Sequence, residues 1–115
     1  VAAEDDHIAP WRQTFRTMNY VAGPKRFVLS SSGHILGIVN PPVKPPKRSF
    51  WVAPARRSDS AEAWRSVAVE NAGSWWEDWM AWLRPLAGEL VDAAPFSSKA
   101  YPALADAPGT YVLEH

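Results

Sequence analysis

The chain has 115 residues, enough for one domain or a part of one. Twelve Lys and Arg balance twelve Asp and Glu, so no global field steers it toward nucleic acid or an anionic membrane surface. Cysteine is absent, which excludes disulfides, thiolate metal sites and a thiol nucleophile within these residues.

Eleven prolines and seven tryptophans are present. Average proline usage is about 5%, so the excess predicts long stretches that are neither helix nor central strand, with the tryptophans supplying much of the core. No apolar run approaches the roughly 18 to 20 residues of a membrane span, and no basic segment followed by an apolar block marks a targeting signal. Val1 at the start and Leu113-Glu114-His115 at the end, the latter resembling the beginning of a vector-encoded histidine tag, lead us to expect an excised segment whose native part stops at Val112.

In chain order, Val1 to Ala3 is expected to be a strand remnant, with Glu4-Asp5-Asp6-His7 as the loop beyond it. Pro10 suits a first helical turn. Trp11, Phe15, Met18 and Ala22 recur at helical spacing up to Gly23-Pro24, which ends the helix. Arg26 to Leu29 is a short apolar run of the kind a buried parallel strand uses. Strand, acidic loop, helix, strand and a loop with histidine make a β-α-β unit. His34 to Val39 reads equally as a helical turn or as extended chain. Asn40 to Pro54 is a proline-rich, basic connector, briefly extended over Ser49 to Val52.

Asp59 with Glu62 three residues on predicts a helix start, and Trp64, Val67 and Ala68 its apolar face, up to a stop at Asn71-Ala72-Gly73. Ser74 and Glu77 form a capping-box pattern, the Ser74 hydroxyl accepting from the Glu77 amide. The helix that follows places Trp75, Trp79, Trp82 and Leu86 near one face and ends or kinks near Arg84, since Pro85 removes an amide donor. Beyond Val91 an irregular tail is expected, packed by Phe96, Tyr101 and Tyr111. No internal repeat, phosphate-binding glycine loop or metal-ligand spacing is present.

Asp6 and His34 would each lie just past the C-terminal end of one of two parallel strands, the side of an open α/β sheet where ligands bind. An acid there can hold an imidazole tautomer and stabilise its protonated form while the histidine acts as a base. In α/β-hydrolases the order is nucleophile, acid, histidine, and this chain holds the last two. By spacing alone a satisfied loop histidine is the commoner outcome, and Asp5 and His7 compete as partners. The charges of Arg26, Lys44, Lys47, Arg48, Arg56 and Arg57 read as a solvated loop, and the tryptophan face as core rather than a stacking platform.

The blocks EDDHIAPW, RFVLSSSGHILGIVNPP, GSWWEDWMAWL and YPALADAPGTYV, in this order, resemble the C-terminal catalytic region of the poly(3-hydroxyalkanoate) synthases, the polyester-forming polymerases. The resemblance runs essentially to Val112. It implies an α/β-hydrolase fold, with residues 1–112 as the C-terminal portion of the catalytic domain. Within it are a short parallel β-α-β unit at the sheet edge, two further helices and the tail. It assigns the catalytic acid to Asp6 and the catalytic histidine to His34, with Asp5 where the family often has glutamate. The family's cysteine lies upstream and is absent here, so the chain would hold two members of a Cys-His-Asp triad and be inactive alone.

The implied activity is that of an acyltransferase polymerising (R)-3-hydroxyacyl coenzyme A with release of coenzyme A. No cofactor or metal is implied. His7 would line the coenzyme A channel. The expected partners are the acyl thioester, the growing polyester, the granule surface and a second copy of the parent enzyme, in the cytoplasm and without a membrane span or nucleic acid. Leu36, where the family often has alanine, and the basic connector are departures that bear on chain-length preference, while Gly37-Ile38-Val39-Asn40 leans toward the short-chain enzymes. Such a segment is expected to expose sheet edge and apolar surface and so to self-associate or rearrange. Two alternatives stand beside this reading. A related esterase or depolymerase would require a serine elbow upstream, and a non-enzymatic tryptophan-rich binding module would require Trp75, Trp79 and Trp82 to be exposed.

Overall fold

Phe27, Val28 and Leu29 are apolar at successive positions, and a strand sends successive side chains to opposite faces, so a strand here needs cover on both sides. The computed structural model, which describes residues 1–114, supplies it. Four strands, β1 (Ala2–Ala3), β2 (Arg26–Ser30), β3 (Ser49–Pro54) and β4 (Val69–Ala72), form one sheet in the order β1-β2-β3-β4. β1 runs parallel to β2, with Ala2 opposite Leu29 and Ala3 opposite Ser30. They are joined through helix α1 (Trp11–Phe15) and a 3-10 turn (Arg16–Asn19), which is the expected β-α-β unit. β3 is antiparallel to both β2 and β4, so the sheet is mixed and the architecture is α/β.

Helix α3 (Ala61–Val67) and α1 cover one face of the sheet. There Phe27 and Leu29 meet Trp11, Phe15 and Trp64, with Phe27 edge-on to both Phe15 and Trp64 at 5.0 Å between ring centroids. Edge-to-face contact sets the positive ring rim against a negative face and adds to the area term. Trp64 is 1% exposed, and its indole N–H donates to the Ala53 carbonyl at 3.1 Å, so its one polar group enters the core satisfied. Helix α4 (Trp75–Leu83) covers the other face, where Trp75 packs on Val28 and Phe50. A four-residue helix, α2 (Leu36–Val39), lies between the end of β2 and the connector.

Several expectations need correction. The helix after Asp59 does not run to Asn71: α3 ends at Val67, and Val69–Ala72 is strand β4. The connector is extended for longer than expected, since Ser49–Pro54 pairs with β2 along that strand's whole length. Both departures have the same kind of cause, an open strand edge that needs a partner: β3 fills that of β2, and β4 fills that of β3. Ser60, rather than Asp59, caps α3 by accepting from the Ala63 amide at 3.0 Å, while Asp59 accepts from Arg56. The Ser74 hydroxyl accepts from the Trp76 amide at 3.2 Å, not from Glu77. Pro85 lies in a 3-10 turn (Arg84–Leu86) that closes α4, as its missing donor requires.

The tail is irregular, but it is not packed: Phe96, Tyr101 and Tyr111 are all exposed. Its reach explains a radius of gyration of 19.0 Å, against about 13 Å for a compact domain of roughly 100 residues. Of the tryptophan face on α4, Trp75 is core, Trp79 is half-buried and Trp82 is exposed. No helix among the described residues is long and apolar enough to cross a membrane.

Candidate active site

The parallel pairing of β1 and β2 brings the loops after both strands to one rim, and backbone bonds continue past the strands to keep them there. The Glu4 amide donates to the Ser30 carbonyl at 2.8 Å and the Asp5 amide to the Ser32 carbonyl at 3.1 Å. The acidic loop and the serine-rich loop are thereby zipped together ahead of Asp6 and His34. Ser32 is held at φ 82°, a left-handed conformation that a residue with a side chain adopts at a cost of about 1 to 2 kcal/mol. Such strain persists where the surrounding bonds over-determine the loop.

Asp6 and His34 meet, with the carboxylate Oδ2 2.8 Å from the imidazole Nδ1. The other carboxylate oxygen, Oδ1, accepts from the amides of Ile8 at 2.9 Å and Ala9 at 2.8 Å. Each oxygen is therefore committed, one to the backbone and one to the histidine, which fixes the carboxylate plane. The Ala9 amide foremost, then His34 and the Ile8 amide, hold the Asp6 carboxyl below the ordinary carboxylate value against the opposing pull of burial. An ionised Asp6 makes Nδ1 the protonated nitrogen of a neutral His34 and leaves the Nε2 lone pair as the basic position. The Asp6 side chain is 7% exposed and that of His34 46%, so the acid is sheltered while the imidazole is open to an incoming group.

Behind the histidine, α2 sits against β1. A methyl group on Gly37 would fall 2.5 Å from Ala3 Cβ and 3.1 Å from the Ser32 carbonyl oxygen, so only glycine allows this approach. A buried polar chain closes the base of the loop: Asn40 Nδ2 donates to the Ser30 hydroxyl at 3.1 Å, and the Ser74 hydroxyl donates to the Asn40 carbonyl. Asn40, Ser30 and Ser74 are all buried, and each has its partner, as buried polar groups require.

Of the competing residues, Asp5 is exposed and contributes its backbone amide rather than its carboxylate. His7 is exposed on the same rim, next to Asp6 in sequence, and makes no hydrogen bond to Asp6 or His34. Among the described residues no group of three or more His, Cys, Asp or Glu is assembled that would hold a metal ion. Sequence reasoning did not connect Asn40, Ser74, Trp75 or Trp76 to the histidine loop. Ser74 read as a helix cap and Trp75 as core, and both are that as well. Nothing in their spacing signals a bond across 34 residues to Asn40.

No protein-family model matches the chain. Its sequence is 40% identical over 114 residues to poly(3-hydroxyalkanoate) polymerase 2 of Ectopseudomonas oleovorans, covering 98% of this chain and 20% of that protein. It is 43% identical over 111 residues to the poly(3-hydroxyalkanoate) polymerase subunit PhaC of Cupriavidus necator, covering 96% and 18% respectively. It is 42% identical over 113 residues to the poly(3-hydroxyalkanoate) polymerase of Methylorubrum extorquens, covering 97% and 18%. The similarity thus spans almost all of the chain, including both loops of the rim. By sequence, the chain belongs to the poly(3-hydroxyalkanoate) polymerase family, and it spans about a fifth of the length of the curated relatives it matches.

Proposed function

We propose that the chain is the part of a poly(3-hydroxyalkanoate) polymerase that carries the acid and base of a Cys-His-Asp triad, the cysteine coming from residues outside these 115. The observation that carries this reading is the 2.8 Å contact of Asp6 with His34 Nδ1 at the rim where β1 and β2 end. On this reading residues 1–112 are the C-terminal portion of an α/β-hydrolase catalytic domain. The reaction is the polymerisation of (R)-3-hydroxyacyl coenzyme A with release of coenzyme A. The enzyme needs no cofactor and works in the cytoplasm at the polyester granule surface as a homodimer, with His7 beside the coenzyme A path.

The chemistry follows from the tautomer. A thiol with a pKa of about 8.5 is mostly protonated at neutral pH, so a base is needed to make the nucleophile. Nε2 of His34 takes the cysteine proton, and the thiolate attacks the thioester carbonyl. The bond from acyl carbon to coenzyme A sulfur breaks, and the departing thiolate takes the proton back from Nε2. Elongation repeats the transfer with an alcohol. Nε2 removes the proton of a 3-hydroxyl as its oxygen attacks the enzyme-bound thioester, an ester C–O bond forms, and the released cysteine sulfur is reprotonated from Nε2. With Oδ1 bound to two amides and Oδ2 to His34, Asp6 acts through the histidine, orienting it and stabilising the imidazolium.

The test has two parts. The purified chain should release no coenzyme A from 3-hydroxybutyryl coenzyme A, and release would refute the assignment of an external cysteine. In a full-length polymerase containing this segment, His34→Ala and Asp6→Ala should each slow polymerisation by roughly 10²- to 10⁴-fold, the usual contribution of general-base catalysis. Near-normal rates in both would reject the triad.

A further inference from the structure

Helix α2 has four residues, far below the roughly 12 to 15 at which a helix persists alone in water. Its last carbonyls have no partner further along its own ladder. The first turn of α4 supplies those partners. The Trp75 indole N–H donates to the carbonyls of Gly37 at 3.2 Å and Ile38 at 3.1 Å. That of Trp76 donates to Ile38 at 3.2 Å and Val39 at 3.0 Å. The Ser74 hydroxyl takes the Asn40 carbonyl. Ser74, the cap of α4, and the first two residues of that helix thus terminate α2 completely.

The other end of α2 is bonded to the neighbours of the histidine. The Gly37 amide donates to the Gly33 carbonyl at 2.8 Å and the Val39 amide to the Ile35 carbonyl at 2.9 Å, so the residues on both sides of His34 are tied into this turn. A shift of α2 is therefore a shift of the imidazole relative to Asp6, whose own carboxylate is anchored separately by Ile8 and Ala9. Packing alone does not account for both tryptophans. Trp75 is core, but Trp76 is 38% exposed and stacks on Trp75 at 4.9 Å between centroids, and both bonds of its indole N–H go to α2.

We propose that Trp75 and Trp76 are positioning residues for His34, their indole N–H groups holding the imidazole in register with Asp6. The catalytic consequence rests on the role proposed for His34; the positioning does not.

The test reads the imidazole directly by nitrogen-detected NMR on the chain. With the contact intact, His34 should populate the Nδ1–H tautomer, and its Nδ1 proton should be protected from solvent exchange. In Trp75→Phe/Trp76→Phe, which removes both donors and keeps aromatic rings, that protection should fall at least about ten-fold, the size of a lost hydrogen bond of roughly 1.4 kcal/mol. The ring nitrogens should then move toward the mixed-tautomer average, while the Ile8 and Ala9 amides keep their protection. Trp79→Phe, on the same helix and without a bond to α2, should leave His34 unchanged.

An unchanged His34 in the double variant would overturn the proposal, as would an equal change in Trp79→Phe. If the double variant fails to fold, Trp76→Phe alone, at an exposed ring, should move the same signals in the same direction; no movement would overturn the proposal. In a full-length polymerase the single variant should lower kcat and leave KM in place. Failure of the triad reading shows itself differently, as normal turnover in His34→Ala with the tautomer still responding to Trp76→Phe.

Discussion

Gly37→Ala adds a single methyl group where α2 meets β1, and the structure sets the size of the consequence. The new Cβ would lie 2.5 Å from Ala3 Cβ, 3.1 Å from the Ser32 carbonyl oxygen and 3.2 Å from that of Ser31. Carbon atoms rest about 3.5 to 4.0 Å apart, so α2 must move off β1 by about 1 Å. None of the three neighbours is the end of a flexible side chain: two are backbone, and Ala3 is 1% exposed within the sheet. Overpacking of this kind costs about 1 to 3 kcal/mol, against about 1 kcal/mol that alanine gains over glycine inside a helix.

The net expectation for Gly37→Ala is a loss of up to about 2 kcal/mol, where an unhindered helix position would gain about 1. The same 1 Å displacement would take the His34–Asp6 contact from 2.8 Å beyond hydrogen-bond range. Urea unfolding followed by tryptophan fluorescence measures the first effect, and the His34 Nδ1 proton resonance reports the second. A variant stabilised by about 1 kcal/mol with an unchanged imidazole would refute the reasoning.

Two further outcomes are expected. Because the folded state holds Asp6 below its ordinary value, the unfolded chain binds this proton more tightly, and the stabilisation is complete above the unfolded pKa of about 3.9. It is lost as pH falls through the lower folded value. The urea midpoint of the wild type should therefore exceed that of Asp6→Asn at pH 7, and the two should converge in strong acid; a gap independent of pH would contradict the linkage. Trp64→Ala should cost about 3 to 5 kcal/mol, since it empties the centre of the aromatic cluster and removes the indole bond to the Ala53 carbonyl; thermal melting showing a loss below 1 kcal/mol would place the core elsewhere.

The local signals that proved legible were those whose meaning depends on near neighbours. The strand at Arg26 to Leu29, the helix start at Ser74 and its end near Pro85 all follow from apolar runs, caps and proline chemistry within a few residues, whereas the first helix stops at Phe15 and its 3-10 turn at Asn19, short of the expected end at Gly23-Pro24. Reading failed where a distant partner decided the conformation. Val69–Ala72 continues the apparent helix in sequence, yet forms a strand because Ser49–Val52 offers it an open ladder. Phe96, Tyr101 and Tyr111 looked like packing residues, yet no sheet face remains for them, since α1, α3 and α4 already occupy both.

For the candidate site the division is similar. The order of elements was enough to put Asp6 and His34 at the ends of neighbouring parallel strands, because a β-α-β crossover returns the chain in the same direction. Spacing left Asp5 and Asp6 both open and the family resemblance favoured Asp6, but the physical reason for that choice lies in the tertiary structure. Alternate residues of the loop turn to opposite sides, and only Asp6 both turns inward and finds the Ile8 and Ala9 amides. The support beneath His34 was beyond sequence reasoning altogether. Gly37 against Ala3, Asn40 on Ser30, and the indole N–H groups of Trp75 and Trp76 on α2 are contacts between segments dozens of residues apart in most cases. Residue types determined which groups were able to donate, accept or stay small; only closure of the sheet and its two helical layers decided which of them met.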